Sequence, residues 1–545
     1  MRTSDHVFVL KSLIDKYFKQ NKYIYACFID LKKAFDTINR NALLHKLFQL
    51  NIKGCFFNVL ESMYKQVFFS VILPDGLTEK FETNIGVKQG CILSPTLFSL
   101  YINDLVGHFN SDCTPLKLDD EFISCLLYAD DIVLLSETSK GLQKSLDILH
   151  DYCVKWNLEV NINKTKVVIF NKSGRILKGF SFFYNHEPVC IVNEYKYLGI
   201  ILKPSGTFSE AINQLSKKAN KAIFCIRKTL YSNNSNVLLH TKLFETCVKP
   251  ILLYCSEVWA LPLLLKGNNK DIESRYDNFI PNKVLIKFSK YVLGVHKSAS
   301  NMAVLGDIGL FPLSLNALKA TVEFWFHLLK TKDNLLAKAY KDNLLIKDSW
   351  CNKLKTFLKE IGFGHIWENQ GTFSKHRTLK ALLYKLQDRY CKYWQKTLFN
   401  DDRVVGGNKL RTYRTFKKDF KREQFLFADV DKHALSDFIR IRVSNCNLNI
   451  ERGRYLNLPV EQRTCHLCHN GVEDEFHFLM LCDKLNSKRE ELFRNITDIV
   501  PDFINLSKED QFIFLLTSHD LDICKCVILG ISTMYQVNQN LKLSL

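Results

Sequence analysis

The segment Leu126–Ser136, LLYADDIVLLS, constrains this chain more than any other feature. Two apolar, β-rich runs, Phe122–Tyr128 and Ile132–Leu135, flank Ala129-Asp130-Asp131, so the pattern predicts two strands around a tight turn holding both acids. A third short run, Tyr25–Asp30 (YACFID), also ends on a carboxylate. An ionised carboxylate beside Phe28, Ile29, Leu126, Leu127 or Ile132 is costly unless paired or metal-bound. Taken singly, each acid reads as a structural one, Asp130 and Asp131 as the wet tip of a surface hairpin. Taken together, Asp30, Asp130 and Asp131 suggest a site for two Mg²⁺ ions, about 3.5–4 Å apart, that clamp an in-line phosphoryl displacement. One ion would activate an attacking 3′-hydroxyl and the other would hold a triphosphate and its leaving pyrophosphate.

The neighbouring pattern predicts an α+β layer, helices on one face of a mainly antiparallel sheet. Asn39–Leu50 places Leu43, Leu44, Leu47 and Phe48 on one helical face. Val67–Leu73 and Leu77–Thr83 flank Pro74-Asp75-Gly76, a hairpin signal. Ser94-Pro95 predicts a helix start, with Ser as N-cap and Pro at the first helical position. A helix carrying Leu142, Leu146, Leu149, Cys153 and Trp156 precedes a strand at Val167–Phe170. Beyond Gly206 the pattern turns helical, clearest over Ala211–Tyr231 and Val237–Trp259, with a polar loop expected at Asn268–Asp277. Long helical stretches dominate Leu310–Phe427.

Four blocks in this order resemble the reverse transcriptases of non-LTR, LINE-type retrotransposons. Phe28–Asp36 (FIDLKKAFD) resembles the first palm motif, Gly86–Pro95 (GVKQGCILSP) the second, Tyr128–Asp131 (YADD) the third and Tyr197-Leu198-Gly199 the primer grip. The resemblance is dense from about Thr3 to Lys203. It implies a right-hand polymerase: partial fingers and palm over residues 1–205, a helical thumb over 206–300, a helical connector over 301–440, and a zinc-knuckle region and tail over 441–545. It implies catalytic, Mg²⁺-binding roles for Asp30, Asp130 and Asp131. Phe35 matches the bulky residue under the sugar, although its own pattern is equally that of a core Phe. Gln89 and Gly90 match the loop bordering nucleotide and template. Lys164 matches the lysine near the triphosphate, with Lys166 close enough to compete and a solvated lysine as the alternative. Asp36 belongs to the motif or caps the helix after it. Arg2–His6 resembles the end of the last fingers motif, with the expectation that the chain binds primer–template but extends it poorly.

A separate cluster, Cys465, Cys468, His477 and Cys482, has C-x2-C-x8-H-x4-C spacing. Thiolates and imidazole in paired form suit tetrahedral Zn²⁺, and four protein ligands make a closed, structural site. His466 and His469 are possible substitutes. A similar C-terminal element occurs in LINE-type proteins. Before it, Lys409, Arg411, Arg414, Lys417, Lys418, Lys421 and Arg422 interleave with Tyr413, Phe416 and Phe420 at helical spacing. Two readings fit that stripe equally: a cradle for nucleic acid, or a helix with its aromatics in the core and its charges in water.

Lys and Arg number 75 against 56 Asp and Glu in 545 residues, a net +19 that suits a polyanionic partner. The longest apolar stretch, Pro250–Leu265, contains Glu257 and is short of the roughly 20 residues a membrane span needs. Neither it nor the charged N-terminal stretch favours a membrane or secreted protein, and most of the 18 cysteines sit singly in apolar context, as in an intracellular protein of nucleus or cytoplasm. The expected function is RNA-directed DNA polymerisation, with an RNA template, a DNA primer or target and dNTPs as partners; the oligomeric state stays open. Two alternatives are a silent nucleic-acid-binding remnant of a mobile element and a group II intron-type maturase.

Overall fold

The computed structural model describes residues 2–230, 237–265, 272–332, 334–399 and 409–543. The chain divides into two compact units: Met1–Gln214 with Glu257–Trp259 and Phe324–Gly371, and Leu215–Ser256 with Ala260–Glu323 and Thr372–Leu545.

The first unit is built on four antiparallel strands, β1 (Ile24–Ile29), β2 (Cys125–Tyr128), β3 (Asp131–Ser136) and β4 (Lys166–Phe170), in the order β4-β1-β3-β2. All six residues of β1 are buried, as expected of a central strand covered on both faces. Cys27 and Ile29 on β1, Ile132 and Leu134 on β3, and Val167 and Ile169 on β4 point into one core. Leu43 and Leu47 of α1 (Arg40–Gln49), Leu97 and Tyr101 of α2 (Ser94–Ile102), and Leu142, Leu146 and Leu149 of α3 (Ser139–Trp156) fill the same core. The α+β mixture expected from the pattern is present, and these helices gather on one face.

Several local expectations change. The run Phe122–Tyr128 is broken at Ser124: Glu121–Ile123 pairs with Leu116–Leu118, and only Cys125–Tyr128 joins the main sheet. Ser94 is the first helical residue and not the cap; its hydroxyl donates to the Lys88 carbonyl at 2.5 Å, and Pro95 takes the second position. Val237–Trp259 is not one helix. A π-turn at Phe244–Val248 precedes Pro250, which has no N–H to continue the ladder, and Cys255 is left-handed at φ 58°. Of the loop expected at Asn268–Asp277, residues up to 271 lie outside the described ones, and a 3-10 helix covers Ile272–Asn278. Among the described residues, no single helix is long and apolar enough to cross a membrane.

The stripe at Lys409–Arg422 is the largest correction. Only Tyr413–Phe416 is helical there. Tyr413 is fully buried and donates to Asp307 Oδ1 at 2.8 Å, while Phe420 packs on Phe311, Tyr390 and Trp394. Lys417 is buried against Glu423, and Arg411 is paired with Glu451 at 3.1 Å and Glu475 at 2.8 Å. Lys417 and Glu423 complete a buried charge network with Asp307 and Arg442. Arg414 is half-buried, and Lys418 and Lys421 stay exposed.

Candidate active site and Cys/His centre

The main-sheet register sets the acids. Ile29 pairs with Ile132 on β3, so one further step along the same antiparallel register puts Asp30 opposite Asp131. Tyr128 pairs with Asp131, which leaves Ala129 and Asp130 as the two turn residues. The turn therefore holds one acid and not two: Asp131 begins β3 and is half-buried, while Asp130 is exposed. Ala129 has φ 52°, a left-handed conformation that costs a residue with a Cβ about 1 kcal/mol or more. Burial first, then Asp130 and Asp30, push the Asp131 carboxyl up to about 6. Three acids at one sheet end thus repel one another.

Alternation places Asp30 on the same face of β1 as Ala26 and Phe28, away from the core helices. A hairpin lies against that face: β5 (Tyr195–Tyr197) and β6 (Ile200–Leu202), joined by Leu198 and Gly199, both with positive φ as such two-residue turns need. Tyr195 stacks on Phe28 at 4.4 Å, with Tyr197 at 5.4 Å. The Tyr195 hydroxyl is pushed up to about 12 by burial and by Asp131 and Asp30, which puts the hairpin within electrostatic reach of the acids.

A turn from Asn161 to Thr165 backs Asp30 directly. The Asp30 backbone N–H donates to Thr165 Oγ1 at 3.2 Å, and the Asn161 N–H donates to the Asp30 carbonyl at 2.7 Å. Lys164 lies on that turn with Nζ 3.6 Å from Asp30 Oδ2 and a side chain 70% exposed. Lys166 begins β4, half-buried opposite Phe28.

Phe35, Gln89 and Gly90 belong to a second set of contacts. Phe35 is half-buried, 5.0 Å from Phe98, and its carbonyl accepts from the Val87 N–H at 2.8 Å. Gln89 Nε2 donates to Asp36 Oδ1 at 2.7 Å, so Asp36 braces the loop; the helix after it is capped by Asn39, whose side chain accepts from the Ala42 N–H. Gly86 has φ 80°, and a Cβ there would meet the Asp36 carbonyl oxygen at 2.7 Å. Gly90, at φ 81°, turns in open space. Sequence reasoning missed Arg40, whose buried guanidinium donates to the carbonyls of Thr83, Ile85 and Gly86 and so fixes the approach to Gln89. A buried arginine on the first turn of a helix leaves no periodic signal. His6 was likewise missed: it is buried edge-on to Tyr128 at 5.1 Å, just before the acidic turn.

In the second unit, ligand atoms of Cys465, Cys468, His477 and Cys482 all lie within 4.8 Å of one another. Sγ of Cys465 is 3.8 Å from that of Cys482, and Sγ of Cys468 is 3.3 Å from His477 Nε2. Tetrahedral Zn–S bonds of about 2.3 Å require an S···S separation of about 3.8 Å, so the donor set fits a zinc ion. Hydrogen bonds from Cys482 and His477 draw the Cys465 thiol down toward thiolate. The knuckle closes through the Cys465 N–H on the Gly471 carbonyl at 3.0 Å, and Gly471 takes φ 68°. Arg489 donates to the Cys482 carbonyl at 2.8 Å. His466 faces buried Glu473 at 2.7 Å and His469 is exposed, so neither belongs to the cluster.

A sheet ending in clustered acids, backed by a lysine turn and covered by a short hairpin, defines a polymerase fold of mixed α and β structure. Residues 2–202 match the family model "Reverse transcriptase (RNA-dependent DNA polymerase)". The "RNA-directed DNA polymerase from mobile element jockey" of Drosophila funebris is 30% identical over 251 residues, 45% of this chain and 26% of that one. The "Probable RNA-directed DNA polymerase from transposon BS" of Drosophila melanogaster is 28% identical over 271 residues, 48% of this chain and 29% of that one. A "Retrovirus-related Pol polyprotein from type-1 retrotransposable element R2" of Nasonia vitripennis is 26% identical over 220 residues, 38% and 21% of the two chains. Residues 2–202 are thus a reverse transcriptase domain of the non-LTR retrotransposon kind. The chain spans about a quarter of the length of these relatives. A solved apo telomerase from Candida tropicalis is 16% identical at a TM-score of 0.31, over 62% of this chain and 56% of that one, a likeness too slight to carry an argument.

Proposed function

We propose that this chain is an RNA-directed DNA polymerase, adding deoxynucleotides to a primer 3′-end along an RNA template. The observation that carries the reading is the register placing Asp30 opposite Asp131 with Asp130 in the adjoining turn. Asp30 and Asp130 are the principal ligands for two divalent ions, Mg²⁺ by the preference of hard carboxylates, and Asp131 flanks them. When bound, those ions supply Lewis-acid stabilisation to the attacking hydroxyl and the leaving pyrophosphate. Lys164, free to swing from Asp30, neutralises the incoming triphosphate. Phe35, held by Phe98 and Val87, forms the floor under the sugar and disfavours a 2′-hydroxyl. Gln89 and Gly90 border the nucleotide on a loop fixed by Asp36 and Arg40, and the Tyr195–Leu202 hairpin supports the primer end. Cys465, Cys468, His477 and Cys482 hold one structural Zn²⁺.

The test is primer extension on an RNA template with Mg²⁺ and all four dNTPs, with a dideoxynucleotide added in turn for each base. Chain termination at positions dictated by the template is the expected result. Untemplated addition, or none, would contradict the reading.

A further inference from the structure

Three stretches of the second unit, with Tyr535 beside them, line a cleft of about 540 Å³ close to the Cys/His cluster in sequence. The Gly294–Ser298 turn forms one side, Arg440 and Asn445–Asn447 a second, and the helix Asn449–Tyr455 the third. That volume lies within the roughly 300–1,000 Å³ of ordinary ligand sites.

Its chemistry is one-sided. Tyr455 is 67% exposed, an unusual state for a large aromatic in a concave site. Arg452 lies three residues earlier on the same helical face and is exposed, and its guanidinium makes no hydrogen bond or ion pair among the described residues. Arg440 is anchored by its Nε to the Gly294 carbonyl at 3.1 Å, with Nη1 3.4 Å from Asp437 and 40% of its side chain still exposed. The single acid in the lining, Glu451, is 5% exposed and already bonded to Arg411 at 3.1 Å, with Arg454 at 3.6 Å. Exposed Lys297 adjoins the same turn.

The wall is also rigid. The Asn449 N–H donates to Glu473 Oε2 and its side chain to the Thr464 carbonyl, each at 2.8 Å. Buried Arg463 donates to the Ile450 carbonyl at 2.9 Å and to Leu458, and it passes so close to Gly453 that a Cβ there would meet its Cγ at 2.5 Å. The backbone that carries Arg452 and Tyr455 is thus fixed before any ligand arrives, which reduces part of the ordering cost of binding.

We propose that this cleft binds single-stranded polynucleotide, with an unpaired base stacked on Tyr455 and adjoining phosphates on Arg452 and Arg440. Charge selects a polyanion, and the exposed ring selects the single strand, because a duplex keeps its base faces stacked inside. The inference rests on the polymerase reading and deepens it by giving the chain a further grip on unpaired template or product.

The test uses the full chain and fluorescence anisotropy with three probes: a single-stranded oligouridylate, an oligothymidylate of equal length and a blunt duplex. Tyr455→Ala should weaken single-strand binding about tenfold or more, with Tyr455→Phe restoring it and duplex affinity unchanged. Arg452→Gln should lower the slope of log affinity against log salt by about 0.7. Parental single-strand affinity and slope in Tyr455→Ala and Arg452→Gln, or an equal loss on the duplex, would overturn the cleft. A chain that fails primer extension yet binds single strands through Tyr455 keeps the cleft and sinks the polymerase reading; templated extension with Tyr455-independent binding does the reverse.

Discussion

Asp30 and Asp131 face each other across neighbouring antiparallel strands, one step beyond the Ile29–Ile132 pair. Burial, and after it the charges of Asp130 and Asp30, push the Asp131 carboxyl up to about 6, so the three acids resist joint ionisation. A divalent ion relieves that repulsion. This is the physical link between the fold of the sheet and the proposed chemistry.

Sugar selection follows from Phe35. Its ring packs on Phe98 while its backbone carbonyl accepts from the Val87 N–H, so truncation opens space without removing a backbone tie. Phe35→Val should raise the ratio of ribonucleotide to deoxynucleotide incorporation about tenfold or more, the scale of one or two lost methyl-sized contacts. Matched competition assays read the ratio, and an unchanged value would return Phe35 to plain core packing.

Zinc should be countable. The purified chain should carry about one zinc, and Cys465→Ser with Cys468→Ser should abolish it. Because metal affinity at such sites contributes on the order of 10 kcal/mol to local folding, chelation should expose the Thr464–Cys482 segment to protease. A zinc-free chain with that segment still resistant would contradict the site.

The former basic stripe divides into structural and solvated cations. Lys417→Gln strands buried Glu423 in the network with Asp307 and Arg442, and should destabilise the second unit by about 3 kcal/mol. Lys418→Gln and Lys421→Gln, both exposed, should stay within about 0.5 kcal/mol of the parent. Denaturant melts of the three variants separate the cases, and equal stabilities would refute the buried network.

Acid should act through His6. Burial holds its imidazole down at about 4, against 6.5 in an unfolded chain. The folded state therefore binds fewer protons, and the contribution is intact above pH 6.5 and lost as pH falls toward 4, by about 2–3 kcal/mol. Asp5, paired with His327, and buried Glu257 lie in the same region. His6→Gln should flatten the acid limb of the stability curve relative to the parent, and an identical limb would show that other groups govern it.

Much of the acid site was legible because strand-end carboxylates interrupt apolar runs, and burial makes that interruption expensive. What stayed hidden was tertiary. Nothing local told that Ser124 breaks its strand, that Asp36 braces Gln89 instead of capping a helix, or that Arg40 clamps Thr83–Gly86. The stripe at Lys409–Arg422 misled because helical spacing reports a period, whereas Arg411 is claimed by Glu451 and Glu475 far along the chain and Lys417 by Glu423 within a buried network. The cysteine spacing succeeded for the opposite reason: a knuckle's ligands are local, and the turn between Cys465 and Gly471 sets their geometry.

The central claim is that Asp30 and Asp130 carry the metal-dependent step. The most direct measurement is single-turnover dNTP incorporation on a primed RNA template with Mg²⁺, comparing the parent chain with Asp30→Asn and Asp130→Asn after circular dichroism has shown all three equally folded. Each substitution removes an anionic ligand at near-constant volume, and the account predicts a fall of at least about a thousandfold, with primer–template binding retained. Incorporation by either variant at the parental rate would contradict it.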